Sequence, residues 1–337
     1  MKYRQLGTTN ILLSEIGFGA WGIGGVTPGP TSYGPTDDAI SLQALKQALD
    51  IGINFYDTSN VYGRGNSEEL IGQAFKTDRE KVIIATKVGL IDYESPSNFS
   101  SDYMRDSLEN SLKRLKTDYV DLLQLHNPPR NIFYESDRLQ KFIQQLKKQG
   151  KIRAFGLSVQ SPEDGLIAIR QLKPDAIQAN FNLLDHRIID CGLMDSAIES
   201  SVSIIARTPL CFGFLTGNFR ANTKFKSSDH RSRWSKKQVE KWINGLNIII
   251  KETYPPSQDP IQFALRFCLS FDSVVSAIPG MLTKKEVVEN AQSSAAGPLT
   301  ATELTKIKKA YKTLCLVVED NLPRMKEWDK SGKFNTV

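Results

Sequence analysis

Asp57, Tyr62, Lys87 and His126 each stand at or just past the end of a short apolar run. Together these four types suit one chemistry. A tyrosine hydroxyl can hand a proton to a carbonyl oxygen while the carbonyl carbon receives a hydride. Its ordinary pKa of about 10 is too high for efficient transfer at neutral pH. A lysine ammonium beside it favours phenolate and lowers that value. An aspartate can pair with the lysine and hold it in place, and a histidine can orient or polarise the carbonyl. Such a set needs no metal and no covalent intermediate, but the hydride must come from a cofactor. Each residue has a plainer reading alone. A loop tyrosine packs, a strand-end lysine is solvated, a lone histidine is structural, and Asp57-Thr58-Ser59-Asn60 is a turn. Four complementary groups on one rim outweigh the separate readings.

A rim requires elements to build it. Apolar runs at 16–18, 53–56, 81–86, 119–124, 152–157, 176–178, 202–206 and 274–278 read as strands. Amphipathic spacing predicts helices at 37–51, 66–75, 101–115, 135–149, from 162 onward, around 192–200, and at 260–270 and 284–293. Thr36 is the expected cap of the first. Ser161-Pro162-Glu163-Asp164 combines a cap, a first-turn proline and two acids, and Gly150 stops the fourth helix. Strands alternating with helices imply a parallel sheet, and eight such units suit a closed (β/α)8 TIM barrel. The rival is an open doubly wound sheet. Gly17, Gly19 and Gly22 nearly have the spacing of its phosphate turn, but Gly24, Gly25, Pro28 and Pro30 would break the helix that must follow. The stretch therefore reads as a loop at the barrel mouth.

Three pieces fall outside the eight units. Residues 3–13, with Gly7-Thr8-Thr9-Asn10 in the middle, predict an N-terminal β-hairpin. Residues 212–256 form a long loop after strand seven, partly helical over 235–251. Thr300 and Glu303 open an extra C-terminal helix to about Leu314. The chain reads as one domain over 1–337, its tail beyond about 318 wrapping the barrel or loosely ordered.

Composition sets the outer bounds. With 337 residues, 40% hydrophobic and 24% charged, the chain is neither disordered nor fibrous. A net charge of +6 is small for this length and does not cluster. The densest basic stretch, 224–241, also holds Asp229 and Glu240, so no nucleic-acid partner is expected. Cys191, Cys211, Cys268 and Cys315 form no CxxC pair, which suits reduced thiols in a cytoplasmic protein. No apolar segment follows Met1-Lys2-Tyr3-Arg4-Gln5. The uncharged stretch 16–36 is too rich in Gly and Pro to span a bilayer, so no membrane association is expected. His186 and His230 have no ligand spacing, and no metal site is expected.

The sequence resembles the aldo-keto reductase family from Lys2 to about Asn290. The resemblance rests on Asn54-Phe55-Tyr56-Asp57-Thr58-Ser59-Asn60-Val61-Tyr62-Gly63, Ser67-Glu68-Glu69-Leu70-Ile71-Gly72, Ala85-Thr86-Lys87 and Asp118-Tyr119-Val120-Asp121-Leu122-Leu123-Gln124-Leu125-His126. It implies a (β/α)8 barrel, a catalytic tetrad of Asp57, Tyr62, Lys87 and His126, and Tyr62 as the acid. It also implies reduction of an aldehyde or ketone, a sugar-derived carbonyl among them, with NADP(H) or alternatively NAD(H). Implied cofactor contacts are Gly19, Ala20 and Trp21 at the mouth, Asp57, and Ser158 and Gln178 on the nicotinamide amide. Arg207, Thr208, Pro209, Leu210, Gly213 and Leu215 would run along the pyrophosphate. Ile278, Gly280, Lys284, Glu286 and Asn290 would form the adenosine end. Two positions depart from the family pattern. Val159 stands where Asn is frequent. Arg207 stands where many members have an aromatic residue stacked on the nicotinamide, though a planar guanidinium can stack too. Lys284 and Lys285 open a helix, a favourable place for phosphate. Glu286 either closes a capping box with Thr283 or repels a 2′-phosphate. The family also includes regulatory β-subunits of potassium channels, which keep barrel and cofactor. Those often carry an N-terminal extension, whereas the hairpin here begins at residue 2 or 3. The substrate pocket is expected from 21–34, 92–99, 127–133 and 212–256, with Trp21, Tyr33 and Trp234 as lining or loop-anchoring aromatics. No motif specifies an oligomeric state.

Overall fold

The computed structural model describes residues 1–29, 31–253 and 259–313. Leu314, Cys315 and the tail beyond 318 lie outside the described residues. The chain opens with an antiparallel hairpin, β1 (Tyr3–Gln5) and β2 (Leu12–Ser14), with Tyr3 opposite Ser14. Eight parallel strands follow in chain order: β3 (Phe18–Gly19), β4 (Phe55–Asp57), β5 (Ile83–Val88), β6 (Val120–His126), β7 (Ile152–Ser158), β8 (Ala176–Asn180), β9 (Ser203–Arg207) and β10 (Val274–Ile278). Parallel bridges Ile16–Ala277 and Gly19–Gly280 bring the first stave against the last. The Gly17 amide donates to Ala277 O at 2.9 Å and the Gly19 amide to Pro279 O at 3.0 Å. The contact is so close that a Cβ on Gly19 would sit 2.8 Å from the Ile278 carbonyl oxygen.

Helices wrap this barrel: α1 (Asp38–Asp50), α2 (Asn66–Ala74), α3 (Ser101–Leu115), α4 (Arg130–Phe133), α5 (Ser136–Lys148), α6 (Pro162–Leu172), α7 (Arg187–Asp190), α8 (Leu193–Glu199), α9 (Lys236–Thr253), α10 (Pro260–Leu269), α11 (Lys284–Ala296) and α12 (Ala301–Thr313). Asp37, not Thr36, caps α1: its carboxylate accepts the Ile40 amide at 3.1 Å. Ser100 and Ser161 cap α3 and α6, and Thr283 with Glu286 closes a full capping box on α11. No described helix is long and apolar enough to cross a membrane.

Strand alternation sorts the core into two layers. Phe55, Ala85, Leu122, Ala154, Ala176, Ile205 and Val275 form one buried cluster with Leu6, Ile11 and Leu13 of the hairpin. Their strand neighbours, such as Tyr56, Ile84, Leu123, Phe155, Ile177 and Ile204, belong to the larger cluster that includes the helices. The hairpin is fastened at the N-terminal ends of the strands. Arg4 donates to the carbonyls of Leu269, Phe271 and Val274, and the Gly7 amide donates to Ser203 Oγ at 2.7 Å. The C-terminal helix docks through Tyr311, whose ring stacks on His186 at 3.8 Å between centroids. Phe267 stacks on the same imidazole at 4.9 Å.

Candidate active site

The C-terminal strand ends bring the sequence candidates together. Asp57 ends β4, Lys87 lies in the last turn of side chains on β5, and His126 ends β6. Tyr62 follows β4 on a tight turn, with its amide donating to Ser59 O at 3.1 Å. Gly63 in that turn has φ 60°, and its Cα packs against the Gly24 carbonyl so closely that no Cβ would fit.

Lys87 is fully buried. Its Nζ donates to Asp57 Oδ1 at 2.5 Å, to Thr58 O at 2.8 Å and to Tyr62 OH at 3.2 Å. An ammonium has three donors, and all three are engaged. The other Asp57 oxygen, Oδ2, accepts Gln124 Nε2 at 2.9 Å and Gln178 Nε2 at 2.7 Å. The Gln178 amide also meets Gln124 Oε1 at 3.2 Å. His126 faces the Tyr62 ring edge-on, 6.0 Å between centroids, and its Nδ1 lies 3.1 Å from Ser59 Oγ.

Burial governs the electrostatics. It drives the Lys87 ammonium below the ordinary lysine value, opposed by the charge and hydrogen bond of Asp57. It also drives the Tyr62 phenol upward, with the Asp57 charge adding to the rise and the Arg207 guanidinium opposing it. Taking a phenolate out of water outweighs the pull of the Arg207 guanidinium. His126 is held well below the usual imidazole range by burial, then by the charges of Lys87 and Arg207, so it is neutral at physiological pH.

The residues expected at a cofactor lie on the neighbouring strand ends and the segments that follow them. Ser158 ends β7 buried, and its Oγ has no hydrogen-bond partner. Arg207 ends β9 between Asn180 and Ile278 in the sheet register. Its Nη2 donates to Val159 O at 2.8 Å, while its buried Nε has no partner. Thr208 has φ 52° and donates to Asn180 Oδ1 at 2.6 Å. Pro209 and Leu210 lead into the 3-10 turn Cys211–Thr216, which contains Gly213 and Leu215; the Leu210 carbonyl accepts both of their amides. Gly19 ends β3, and Ala20 and Trp21 follow it beside the end of β10, with Gly19 bridged to Gly280 and Ala20 N bonded to Asp57 O at 2.9 Å. Past Ile278, a Cβ on Gly280 would meet open space. Glu286 Oε2 accepts the amides of Leu282 and Thr283 at 2.6 and 3.0 Å, Lys284 is exposed, and Asn290 is buried on α11. Orphaned polar atoms at Ser158 and Arg207, with open space at Gly280, fit an elongated ligand with amide and phosphate groups.

Aromatic residues from two loops meet over the mouth. Trp21 and Tyr33 each lie 4.7 Å from the His230 ring, and Phe212 bridges His230 to Trp234 at 5.1 and 5.5 Å. A backbone bridge joins Ser32 to Asp229. Trp21, Tyr33 and Trp234 thus belong to one aromatic cluster that also contains His230. A cavity of about 370 Å³ lies to one side, between residues 27–28, Asn60, Val61, Arg64, residues 91–94 and α3. None of the four candidate catalytic residues lines it.

Three participants escaped the sequence reading: the Thr58 carbonyl, Ser59 and Gln124. Gln124 carried a signal. It shares the inward parity of Leu122 and His126, and an amide facing a barrel interior demands a partner.

The chain matches the model of the aldo/keto reductase family over residues 15–312. It is similar to "Aldo-keto reductase YhdN" of Bacillus subtilis, 34% identical over 260 residues, covering 74% of this chain and 76% of the relative. It is 30% identical over 312 residues to the "NADH-specific methylglyoxal reductase" of Escherichia coli, covering 86% and 92%. The solved holo form of aldo-keto reductase AKR11C1 from Bacillus halodurans superposes with a TM-score of 0.76 at 28% identity, covering 92% of this chain and 96% of that one. The chain belongs to the aldo/keto reductase family, whose members act on small-molecule carbonyls with nicotinamide cofactors.

Proposed function

We propose that the protein reduces an aldehyde or ketone to the alcohol, with Tyr62 as general acid and a nicotinamide dinucleotide supplying the hydride. The observation that carries this reading is the Lys87 ammonium bridging Asp57 Oδ1 and Tyr62 OH. Before reaction the phenol is firmly protonated, as an acid must be. As negative charge grows on the carbonyl oxygen, the phenol releases its proton and Lys87 stabilises the phenolate left behind. Asp57 keeps the buried lysine charged. Neutral His126 donates or accepts a hydrogen bond at the carbonyl without adding charge. Ser158, with its unpartnered hydroxyl, and Arg207 are suited to hold the nicotinamide end.

NADPH is the favoured cofactor in this reading. Glu286 directs Oε2 into two backbone amides of the α11 cap, which ties its carboxylate to the start of the helix. Exposed Lys284 and Lys285 remain at the helix N-terminus. A relative named as NADH-specific keeps the NADH alternative open to test. The deciding experiment is Tyr62→Phe, assayed over a carbonyl panel with both cofactors. Turnover should fall at least about 10²-fold with cofactor affinity nearly unchanged. A variant that turns over normally would remove Tyr62 from the chemistry.

A further inference from the structure

Arg207 is a cation without a counter-charge. Among the described residues it forms no ion pair, and the acids whose charges reach it are already committed. Asp57 is held by Lys87, Gln124 and Gln178. Asp185 is gripped by its neighbour Arg187 at 2.8 and 2.6 Å. The guanidinium is tethered at Nη2, which donates to Val159 O at 2.8 Å, and its Nε is buried without a partner. Its charge is felt at both Tyr62 and His126. With Asp57 and Lys87 cancelling and Tyr62 and His126 neutral, the centre carries one surplus positive charge.

We propose that this surplus charge makes the site discriminate between the two redox forms of the nicotinamide, binding the neutral reduced form more tightly than the cationic oxidised form. The inference rests on the proposed cofactor reading and deepens it. In the overall reaction the carbonyl carbon gains a hydride and its oxygen gains a proton, and the ring that gave the hydride is left with a positive charge. One proton from solvent restores Tyr62. The chemistry therefore adds a cation to a pocket that already holds an unbalanced one. Like charges in a buried site repel strongly and are weakly screened by salt. The same guanidinium stabilises the transient negative charge on the phenolate and the carbonyl oxygen. Arg207 thus speeds departure of the oxidised cofactor, at the cost of making the bound reduced form a weaker hydride donor.

The test is a binding measurement, independent of turnover. Protein fluorescence or calorimetry gives dissociation constants for reduced and oxidised cofactor with wild type, Arg207→Gln and Arg207→Lys. Wild type should prefer the reduced form by at least about tenfold. The ratio should fall toward one in Arg207→Gln, mainly through tighter binding of the oxidised form, and stay high in Arg207→Lys. About 0.5 M salt should narrow the ratio without abolishing it, since the guanidinium is only partly buried. An unchanged ratio in a normally melting Arg207→Gln overturns the proposal. So does an equal loss for both forms, which would make Arg207 a packing contact. A rise in KM confined to anionic carbonyls, with the cofactor ratio intact, overturns it in favour of substrate recognition. Wild type binding neither form defeats the cofactor reading first, and this inference with it.

Discussion

Asp57 accepts three side-chain hydrogen bonds, and two come from amides that do no chemistry themselves. Gln124 and Gln178 fix which oxygen faces Lys87, so they act on Tyr62 through two intermediaries. Replacing Gln124 by Leu preserves bulk and leaves Asp57 Oδ2 with one donor. A hydrogen bond to a charged group is worth about 1.5–3 kcal/mol, which predicts a fall in kcat of about 10- to 100-fold with cofactor affinity unchanged. A wild-type kcat in Gln124→Leu would show that Gln178 alone suffices. Lys87→Met should act in another way. Without the ammonium the phenolate loses its stabilising neighbour, so the Tyr62 phenol moves still higher. Activity should drop and the alkaline limb of the pH–rate profile should move to higher pH. A profile of unchanged shape with substantial activity would reduce Lys87 to a strand-end cation. At this scale the four candidate residues were legible because each is polar at the end of an apolar run. The direction of the Tyr62 shift was not, because depth of burial is a property of the closed barrel and not of neighbouring letters.

The elements explain why sequence periodicity found the right units with shifted edges. Strands expected at 81–86, 119–124 and 176–178 run instead over Ile83–Val88, Val120–His126 and Ala176–Asn180. In each case the missing end holds the polar residues that face the site: Lys87, His126 and Asn180. An apolar-run criterion clips strands where function places polar groups. The docking of α12 was hidden for a related reason, since His186 gives no sign that Tyr311 will stack on it from 125 positions away. That stack makes a testable pH device. Burial first, against the smaller pull of Asp185, lowers the His186 imidazole from 6.5 to about 4. The folded chain therefore resists a proton that the unfolded chain accepts. Its contribution is complete above about 6.5 and is lost as pH falls toward about 4, by at most about 3 kcal/mol. His186→Phe keeps an aromatic face for Tyr311 but cannot titrate. Urea unfolding at pH 7 and pH 4.5 should show a smaller acid loss in the variant than in wild type. Equal losses would mean that the imidazole protonates without disturbing the helix.

On the scale of the whole molecule, eight staves were legible from alternation alone, because a parallel strand needs a long crossover and the chain supplies one after every strand. The quality of the closure was not. Strand β3 is only two residues long, and the seam depends on glycines that let backbones touch. Gly19→Ala would press a methyl against the carbonyl oxygens of Ile278 and Pro279, both at 2.8 Å, where nothing flexible can yield. Overpacking of this kind costs about 1–3 kcal/mol. The variant should unfold at lower denaturant, and its Gly17 and Gly19 amides should exchange with solvent faster than those of β6. A wild-type midpoint with protected amides would mean that the rim relaxes around the extra methyl.

That seam has a consequence during synthesis. The two strands that meet there are separated by more than 250 residues of chain, and the ribosome delivers β10 last among them. Until it emerges, β3 and β9 leave unpaired edges and the apolar interior has a missing wall. The hairpin anchors of Arg4, on Leu269, Phe271 and Val274, are unavailable for the same interval. A nascent chain of this protein therefore waits, open along one side, for the residues from Val274 onward to arrive. A messenger variant that stalls translation just before β10 should raise aggregation and chaperone association far more than the same pause placed after it.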